Sequence, residues 1–158
     1  MTVGTIEQDL YFEDFHLGRI FETETMTLTD ADIIDFGRRY APLPYHTDAE
    51  GAKSSMFGGL VAAGHQTAAI TFGLFVRTGA FRACGMGSPG LDKLRWLKPV
   101  KPGDTLKAIA EVIEVSPATD PKGRDAIRLK YDTINQRGET VMTVTSLHFL
   151  RRRSARTA

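Results

Sequence analysis

Residues 60–77, LVAAGHQTAAITFGLFVR, form the most apolar stretch of the 158-residue chain. Polar residues at positions 65–67 interrupt the stretch, so it falls short of the roughly 20 apolar residues that a membrane span needs. It therefore predicts a buried helix of about 18 residues, about 27 Å long. Its alanines and glycines add little side-chain bulk, which lets other backbone approach closely. We expect this helix to lie at the centre of the fold, with the remaining chain wrapped around it.

Four segments after this helix alternate apolar and polar residues, which is typical of β-strands. The predicted strands cover residues 91–100, 105–115, 126–134 and 139–150, and residues 135–138 predict a hairpin turn between the last two. In the last strand the alternation groups Val141, Thr143, Thr145, Leu147 and Phe149 on one face. An antiparallel meander that wraps one buried helix is an α+β architecture.

The chain before the central helix begins with a strand and a capped helix. Residues 19–28 alternate as a half-buried strand. Thr29 and Asp32 have the spacing of a capping box, which predicts a helix over residues 30–40.

A second short helix is predicted before the central one. Pro42 and Pro44 end the first helix and favour an extended segment. Thr47 and Glu50 then have the spacing of another capping box, so a helix of one or two turns is expected to about Ser54.

Composition excludes several classes of partner. The chain carries 20 Lys and Arg against 19 Asp and Glu, a net charge of +1, so its overall charge attracts neither nucleic acid nor an anionic membrane surface. Its one cysteine, Cys84, excludes an intramolecular disulfide and a cysteine-rich zinc site. His16 and His148 have no ligand spacing with the other histidines, so we expect no metal site.

The two ends of the sequence carry further expectations. The first residues, MTVGTIEQDLYF, lack the basic start and apolar run of a signal peptide, which favours a cytoplasmic location. Because no linker or repeat divides the sequence, residues 1–150 are predicted to form one domain. The basic residues 151–158, RRRSARTA, are predicted to be a disordered tail.

Three motifs carry a resemblance to a known family. They are PYHTD at residues 44–48, FGGLVAAG at residues 57–64 and LRWLKPVKPGDTL at residues 94–106. In these motifs the chain resembles the MaoC-like branch of the hotdog-fold proteins, which includes (R)-specific enoyl-CoA hydratases and related acyl-thioester dehydratases. The resemblance implies an α+β hotdog fold, in which a curved antiparallel sheet wraps one long central helix. It also implies a homodimer whose two sheets join, with a tunnel for the acyl chain beside the helix.

The resemblance further implies an activity and its partners. The implied reaction is the reversible addition of water to a 2-enoyl-CoA or to an acyl-carrier thioester. Coenzyme A enters only as part of the substrate, and no separate cofactor is implied. No nucleic acid or membrane partner is implied either.

Two residues in the matching motifs suit this chemistry. His46 suits proton exchange with water, because an imidazole ordinarily has a pKa of about 6.5. Gly64 suits the stabilisation of negative charge on the thioester oxygen, since a backbone N–H at a helix N-terminus is unpaired and points outward. Around them, the family pattern implies substrate-binding positions at Tyr45, Phe57, Gly58, Gly59, His65 and Arg95.

The predicted strand over residues 91–100 has basic residues on one face. Leu94 and Trp96 alternate with Lys93 and Arg95, and further along the same stretch the chain adds Lys98 and Lys101. These cations have two interpretations: a solvated strand face, or the local positive charge that binds the phosphates of coenzyme A.

The sequence departs from the family pattern at one position. Catalytic members that resemble this chain carry an aspartate five residues before the histidine, where the two side chains hold and activate the water; here that residue is Ala41. Asp48, Glu50 and His65 are the candidates to supply the missing group. Three functions stay open: a hydratase or dehydratase, a non-catalytic acyl-thioester binding subunit, and a hotdog thioesterase. The last is disfavoured because residues 60–77 contain no carboxylate.

Overall fold

The computed structural model describes residues 1–119 and 123–154. Within them the chain forms seven β-strands, three α-helices and two short 3-10 helices. The strands are β1 (Thr2–Val3), β2 (Ile20–Glu22), β3 (Met26–Thr27), β4 (Gly90–Trp96), β5 (Thr105–Ser116), β6 (Ala126–Ile134) and β7 (Thr140–Phe149). The helices are α1 (Asp30–Tyr40), α2 (Pro44–Thr47) and α3 (Gly64–Arg77), and the 3-10 helices cover Phe12–Asp14 and Gly51–Ser54.

The strands form one sheet in the order β1–β2–β5–β6–β7–β4, with β3 also paired to β5. The pairs β5–β6 and β6–β7 are antiparallel neighbours, as the predicted meander requires. Strand β4 departs from the meander, because it pairs antiparallel with β7 and not with β5, the next strand in the chain. The predicted hairpin turn is present, since the Gly138 N–H donates to the Asn135 carbonyl at 3.0 Å. Among the described strands, β4 ends the sheet order and has one edge without a neighbour.

Helix α3 packs against this sheet at the centre of the fold, as predicted. Its inward residues Gln66, Thr67, Thr71, Leu74 and Phe75 are buried. The helix begins at Gly64 and not near residue 60, because the chain before it is extended. The N–H of Val61 donates to the Tyr45 carbonyl at 3.0 Å, and the N–H of Ala62 donates to the Val100 carbonyl at 2.8 Å. No helix in residues 1–119 and 123–154 is long and apolar enough to span a membrane.

The inward face of β7 differs from the face that the alternation suggests. Met142, Val144, Ser146 and His148 are all buried, whereas on the other face Val141 and Thr145 are buried and Thr143, Leu147 and Phe149 are half-buried. The ring of His148 stacks with that of Phe72 on α3, with centroids 6.0 Å apart, so the face of β7 that carries His148 is the one that faces the helix. Polar residues occupy two of the inward positions, so hydrophobicity alone does not distinguish the two faces.

Helix α1 begins as its capping box predicts. The N–H of Thr29 donates to the Asp32 carboxylate at 2.8 Å, and the N–H of Asp32 donates to the Thr29 hydroxyl at 3.1 Å. These bonds from Thr29 lower the pKa of Asp32. Ahead of α1, the strand predicted over residues 19–28 divides into β2 and β3.

The segment after α1 differs from the extended segment predicted there. Pro44 opens the one-turn helix α2, because the fixed φ of proline suits the first position of a helix. The predicted capping box of Thr47 and Glu50 does not form. The hydroxyl of Thr47 donates to the Leu43 carbonyl, and the carboxylate of Glu50 pairs with Lys53. A 3-10 helix still follows and ends where the short helix was predicted to end.

Strand β4 is exposed and irregular. It ends at Trp96, although the sequence predicts a strand to residue 100. Lys93 has a φ of 53°, and the register against β7 shifts between Asp92 and Arg95, which marks a β-bulge. Because of the bulge, Leu91 and Trp96 both lie opposite inward residues of β7, so the simple alternation predicted here does not hold.

The first residues of the predicted tail are attached to the domain. The N–H of Arg151 donates to the Cys84 carbonyl at 2.8 Å, and Arg152 forms an ion pair with Asp125 at 2.7 Å. Residues 155–158 of that predicted tail lie outside the described residues.

Candidate active site

His46 lies on α2, the one-turn helix that Pro44 opens. The residue is buried, with 8% of its surface exposed. Its Nδ1 lies 2.7 Å from the carbonyl oxygen of Val61. A carbonyl oxygen only accepts hydrogen bonds, so Nδ1 carries a proton, and in the neutral tautomer with this bond the lone pair is on Nε2. His46 is therefore held in the tautomer that takes up a proton at Nε2.

Two neighbouring contacts hold α2 in position. Gly37 of α1 packs so closely that a Cβ at this position would lie 2.4 Å from the carbonyl oxygen of His46. The ring of Tyr45 contacts that of Phe57, with centroids 5.3 Å apart. A larger residue at position 37 would push α2 away, so this glycine helps to set the position of the imidazole.

Gly64 is the first residue of α3 and follows the extended Ala63. Its N–H has no acceptor among the described residues, as is usual for the first amides of a helix. The indole of Trp96 covers its α-carbon: a Cβ at position 64 would lie 2.4 Å from Cε2. The indole Nε1 also donates to the Gly64 carbonyl at 2.8 Å. Glycine fits beneath the indole, and its N–H carries the partial positive charge of the helix N-terminus.

One cavity of about 370 Å³ contains both groups. His46 and Gly64 line it, together with three of the residues that the sequence assigns to substrate binding: Tyr45, Phe57 and His65. The remaining wall is formed by Val61, Ala62, Thr67, Trp96, Leu97, Lys98, Pro99 and Val100. The cavity therefore combines a base with a helix-N-terminal donor, which suits a reaction that moves a proton while an oxygen gains negative charge.

Three residues assigned to substrate binding do not line this cavity. Gly58 lies in a turn with a φ of +68°, where its N–H donates to the Ser55 carbonyl at 3.0 Å, and Gly59 follows it. Arg95 is exposed, and its guanidinium donates to the Leu94 carbonyl at 2.8 Å. The two glycines shape the turn before α3. Arg95 and Trp96 are consecutive residues of β4, so their side chains point to opposite faces of the strand, and Trp96 is the one that lines the cavity.

The described residues that line the cavity include no carboxylate. Ala41, at the end of α1, has only a methyl side chain and is not among the residues that line the cavity. Asp48 accepts a hydrogen bond from the Glu50 N–H at 3.0 Å, and Glu50 is an exposed partner of Lys53. Of the three candidates for the missing group, only His65 lines the cavity. No three His, Cys, Asp or Glu side chains in residues 1–119 and 123–154 are arranged to hold a metal ion.

Trp96 is a site residue that the sequence did not identify. Its role depends on packing against Gly64, which is distant in sequence, so no local pattern reveals it. The available signal is that it is the single tryptophan of the chain and lies within one of the family motifs. Lys98, one of the cations considered for phosphate binding, lines the cavity and pairs with Glu139. The hydrogen bond from Lys98 is the main cause of the lowered pKa of Glu139.

A second cavity, of about 390 Å³, lies between α3, β4 and the inward face of β7. Phe72, Leu91 and Val144 contribute apolar surface, and the hydroxyl of Tyr131 hydrogen-bonds to Nε2 of His148 at 3.0 Å. Burial lowers the pKa of His148 to about 4, so this histidine is neutral at pH 7. Neither of the two candidate catalytic groups lines this cavity.

Known proteins resemble this chain in sequence and in structure. The uncharacterized protein YdeM from Bacillus subtilis is 30% identical over 125 residues, which are 79% of this chain and 87% of YdeM. The crystal structure of a MaoC-like dehydratase from Rhodospirillum rubrum is 34% identical, with a TM-score of 0.83 and coverage of 91% of this chain and 98% of that one. The R-hydratase PhaJ1 from Pseudomonas aeruginosa is 23% identical, with a TM-score of 0.73 and coverage of 91% of this chain and 87% of that one. These similarities confirm the predicted α+β hotdog fold.

The family match covers the part of the chain that builds the cavity. Residues 14–129 match the family described as MaoC like domain. This range includes α2 with His46, the start of α3 with Gly64, and β4 with Trp96. The chain belongs to the MaoC-like domain family.

Proposed function

We propose that this protein adds water reversibly to a 2-enoyl thioester, as a hydratase or dehydratase. The observation that carries the proposal is that the imidazole of His46, bonded through Nδ1 to the Val61 carbonyl, and a helix-N-terminal amide, Gly64, line one cavity. The reaction needs both kinds of group, because water must lose a proton while negative charge develops on the thioester oxygen. The similarity to a MaoC-like dehydratase at 34% identity supports the same class of reaction.

In the hydration direction, the two groups act at opposite ends of the enoyl group. Nε2 of His46 takes a proton from water as the water oxygen bonds to C3. The electrons of the C2–C3 double bond move toward the thioester, whose oxygen becomes an enolate stabilised by the Gly64 N–H. C2 then receives a proton while His46 gives up the one that it took, directly or by exchange with solvent, and the thioester carbonyl re-forms, which gives a 3-hydroxyacyl thioester. The sum is the addition of one water, with no oxidant or reductant.

Coenzyme A is the acyl carrier in this proposal, with an acyl carrier protein as the alternative. Lys98 lines the cavity, and Lys101 is exposed on the same stretch of chain. Ammonium groups at this position suit the phosphates that both carriers present. No other cofactor is required, because the thioester itself activates C3.

Hydration of crotonyl-CoA, followed by the loss of enoyl absorbance, tests the proposal. His46→Ala is expected to lower kcat/KM by about 10²–10⁴, because it removes the base. His16→Ala is the matched control, since His16 is an exposed histidine that does not line the cavity. Equal turnover in the His46→Ala variant and the wild-type protein would contradict the assigned role.

A second function, binding of an acyl thioester without turnover, is favoured by the lack of a carboxylate among the described cavity residues. Calorimetric binding of crotonyl-CoA without formation of 3-hydroxybutyryl-CoA would support it. A thioesterase would instead release the free thiol of coenzyme A. Helix α3 contains no Asp or Glu, so we expect no thiol release.

We also propose that the protein is a homodimer joined through β4. This strand ends the described sheet order, so the backbone groups of its outer edge have no partner strand there. Leu91 adds exposed apolar surface beside that edge. An exposed edge strand is a ready template for pairing with a second copy of the chain.

A further inference from the structure

His65 is a titratable side chain of the cavity to which the proposed function gives no role. Four titratable side chains line the described part of the cavity: Tyr45, His46, His65 and Lys98. Lys98 is paired with Glu139. A tyrosine ordinarily stays neutral up to about pH 10, whereas histidine changes charge near neutral pH. His65 is therefore the second group in this cavity whose chemistry suits proton transfer.

The position of His65 on α3 places it beside the proposed enolate donor. It is the second residue of the helix, directly after Gly64. Its ring lies against Trp96, with centroids 5.5 Å apart, and Trp96 donates its indole N–H to the Gly64 carbonyl. Neither ring nitrogen of His65 bonds to a described residue, so both are available to a bound molecule. The start of α3 thus presents an amide donor and an imidazole to the same cavity.

The chemistry of hydration needs two proton transfers. One proton leaves water and one arrives at C2, so a single imidazole must carry out both in turn, whereas two imidazoles divide them. His46 reaches the cavity from α2 and His65 from α3, and the described lining includes no carboxylate that would take either role.

We propose that His65 is a second catalytic residue, the acid that protonates C2. This inference rests on the proposed hydratase function. His46 takes the proton of water as the C3–O bond forms, and protonated His65 gives its proton to C2. The enolate electron pair forms the new C2–H bond as the thioester carbonyl is restored. Exchange with solvent returns His46 to its neutral form and His65 to its protonated form, so the net change is the addition of one water.

The pH profile of kcat/KM for crotonyl-CoA hydration tests this role. The wild-type protein is expected to give a bell-shaped profile, because the reaction needs neutral His46 and protonated His65. His65→Phe keeps an aromatic ring against Trp96 but has no proton to donate. We expect it to lower kcat/KM at neutral pH by about 10²–10⁴ and to abolish the fall at alkaline pH. The fall at acid pH, which His46 causes, is expected to remain.

Two further variants make the result specific. His65→Asn is smaller and polar, and it is expected to lose the alkaline fall as well, which shows that the effect does not come from the phenyl ring. His16→Phe changes an exposed histidine outside the cavity and is expected to leave the profile unchanged. A wild-type rate and profile in both His65 variants, with turnover that still needs His46, would overturn this inference alone. Absence of turnover in the wild-type protein would overturn the proposed function and this inference together.

Discussion

Ala41 places a methyl group where the family resemblance implies an aspartate. The residue ends α1, and its N–H donates to the Gly37 carbonyl at 2.9 Å. Gly37 in turn packs against the backbone of His46. Position 41 therefore belongs to the helical turn that contacts α2, and a new side chain there requires no change in how α1 ends.

We expect Ala41→Asp to raise kcat/KM for crotonyl-CoA hydration by roughly tenfold or more, because a carboxylate would orient the water and favour the imidazolium form of His46. Steady-state kinetics measure the change. Ala49→Asp, at an exposed alanine outside the cavity, adds the same charge and is expected to change nothing. A rate for Ala41→Asp no higher than that of this control would show that the cavity works without an acid at position 41.

The start of α1 stabilises the helix that positions α2 and His46. Thr29 and Asp32 satisfy two backbone N–H groups there, and the same helix carries Gly37 against α2. Stability at the beginning of α1 therefore bears on the position of His46, although the capping residues do not line the cavity.

Thr29→Ala is expected to lower the free energy of unfolding by about 1 kcal/mol, because it removes the N-terminal cap. The Thr29 bonds lower the pKa of Asp32 below its ordinary 3.8. The contribution of these bonds to the free energy of unfolding is therefore present above about pH 3.8, and it is lost as the pH falls through the lowered pKa of Asp32. Urea unfolding should show a gap between wild type and variant at pH 7 that narrows below about pH 3.8. Thr25→Ala, at an exposed threonine outside α1, is the control, and an equal loss there would contradict the capping role.

Elements with local signals are the ones that the sequence predicts well. Strand β6 has the predicted bounds, because alternation in the sequence matches alternation between its two faces, and α1 follows its capping box. The start of α3 is predicted four residues too early because Val61 and Ala62 bond to segments distant in sequence, which periodicity does not register. Strand β4 departs from its predicted alternation for a similar reason, since its bulge is defined only against β7.

In the candidate site, too, the sequence predicted residues that lie in local motifs and missed a contact between distant segments. The motifs predicted His46 and Gly64, and both line one cavity. They did not predict the indole of Trp96 on Gly64, because that contact forms only when β4 and α3 pack together. They also placed Gly58 and Arg95 at the site, where the structure does not bring them.

At the scale of the whole molecule, the two cavities lie along one helix. Thr67 of α3 lines the first cavity, and Ala68 and Thr71 line the second. The second cavity includes the buried His148, whose pKa is lowered to about 4 by burial. Protonation of this side chain therefore opposes the folded state as a whole.

The lowered pKa of His148 predicts a loss of stability on acidification. Between its ordinary pKa of 6.5 and about 4, the unfolded chain binds a proton that the folded chain does not. The free energy of unfolding therefore falls across this range, by roughly 2–3 kcal/mol in all. Urea unfolding at pH 7 and pH 5 measures the fall. His148→Gln keeps a hydrogen-bond partner for Tyr131 but does not titrate, so we expect a smaller fall in the free energy of unfolding between pH 7 and pH 5 in this variant. His16→Gln is the control and is expected to show the same fall as the wild-type protein. The same fall in the His148→Gln variant as in wild type would contradict this account.

The proposed dimer makes a prediction about mass. Light scattering is expected to give twice the 17.4 kDa of one chain. Leu91→Lys places charge beside the free edge of β4 and is expected to shift the protein toward monomer. Leu17→Lys is the matched control, since Leu17 is 68% exposed and lies outside β4. A monomeric wild-type protein would contradict the proposed interface.

The indole of Trp96 packs on Gly64 so closely that packing alone requires glycine at position 64, whatever the chemistry of the site. A related protein without catalytic activity would still have to move the tryptophan before alanine could replace glycine at position 64. Finding glycine at this place in other chains that keep the tryptophan therefore says little about whether they turn over a substrate. The imidazole of His46 is likewise buried, bonded to the Val61 carbonyl and packed on Tyr45, so only measured turnover distinguishes an active relative.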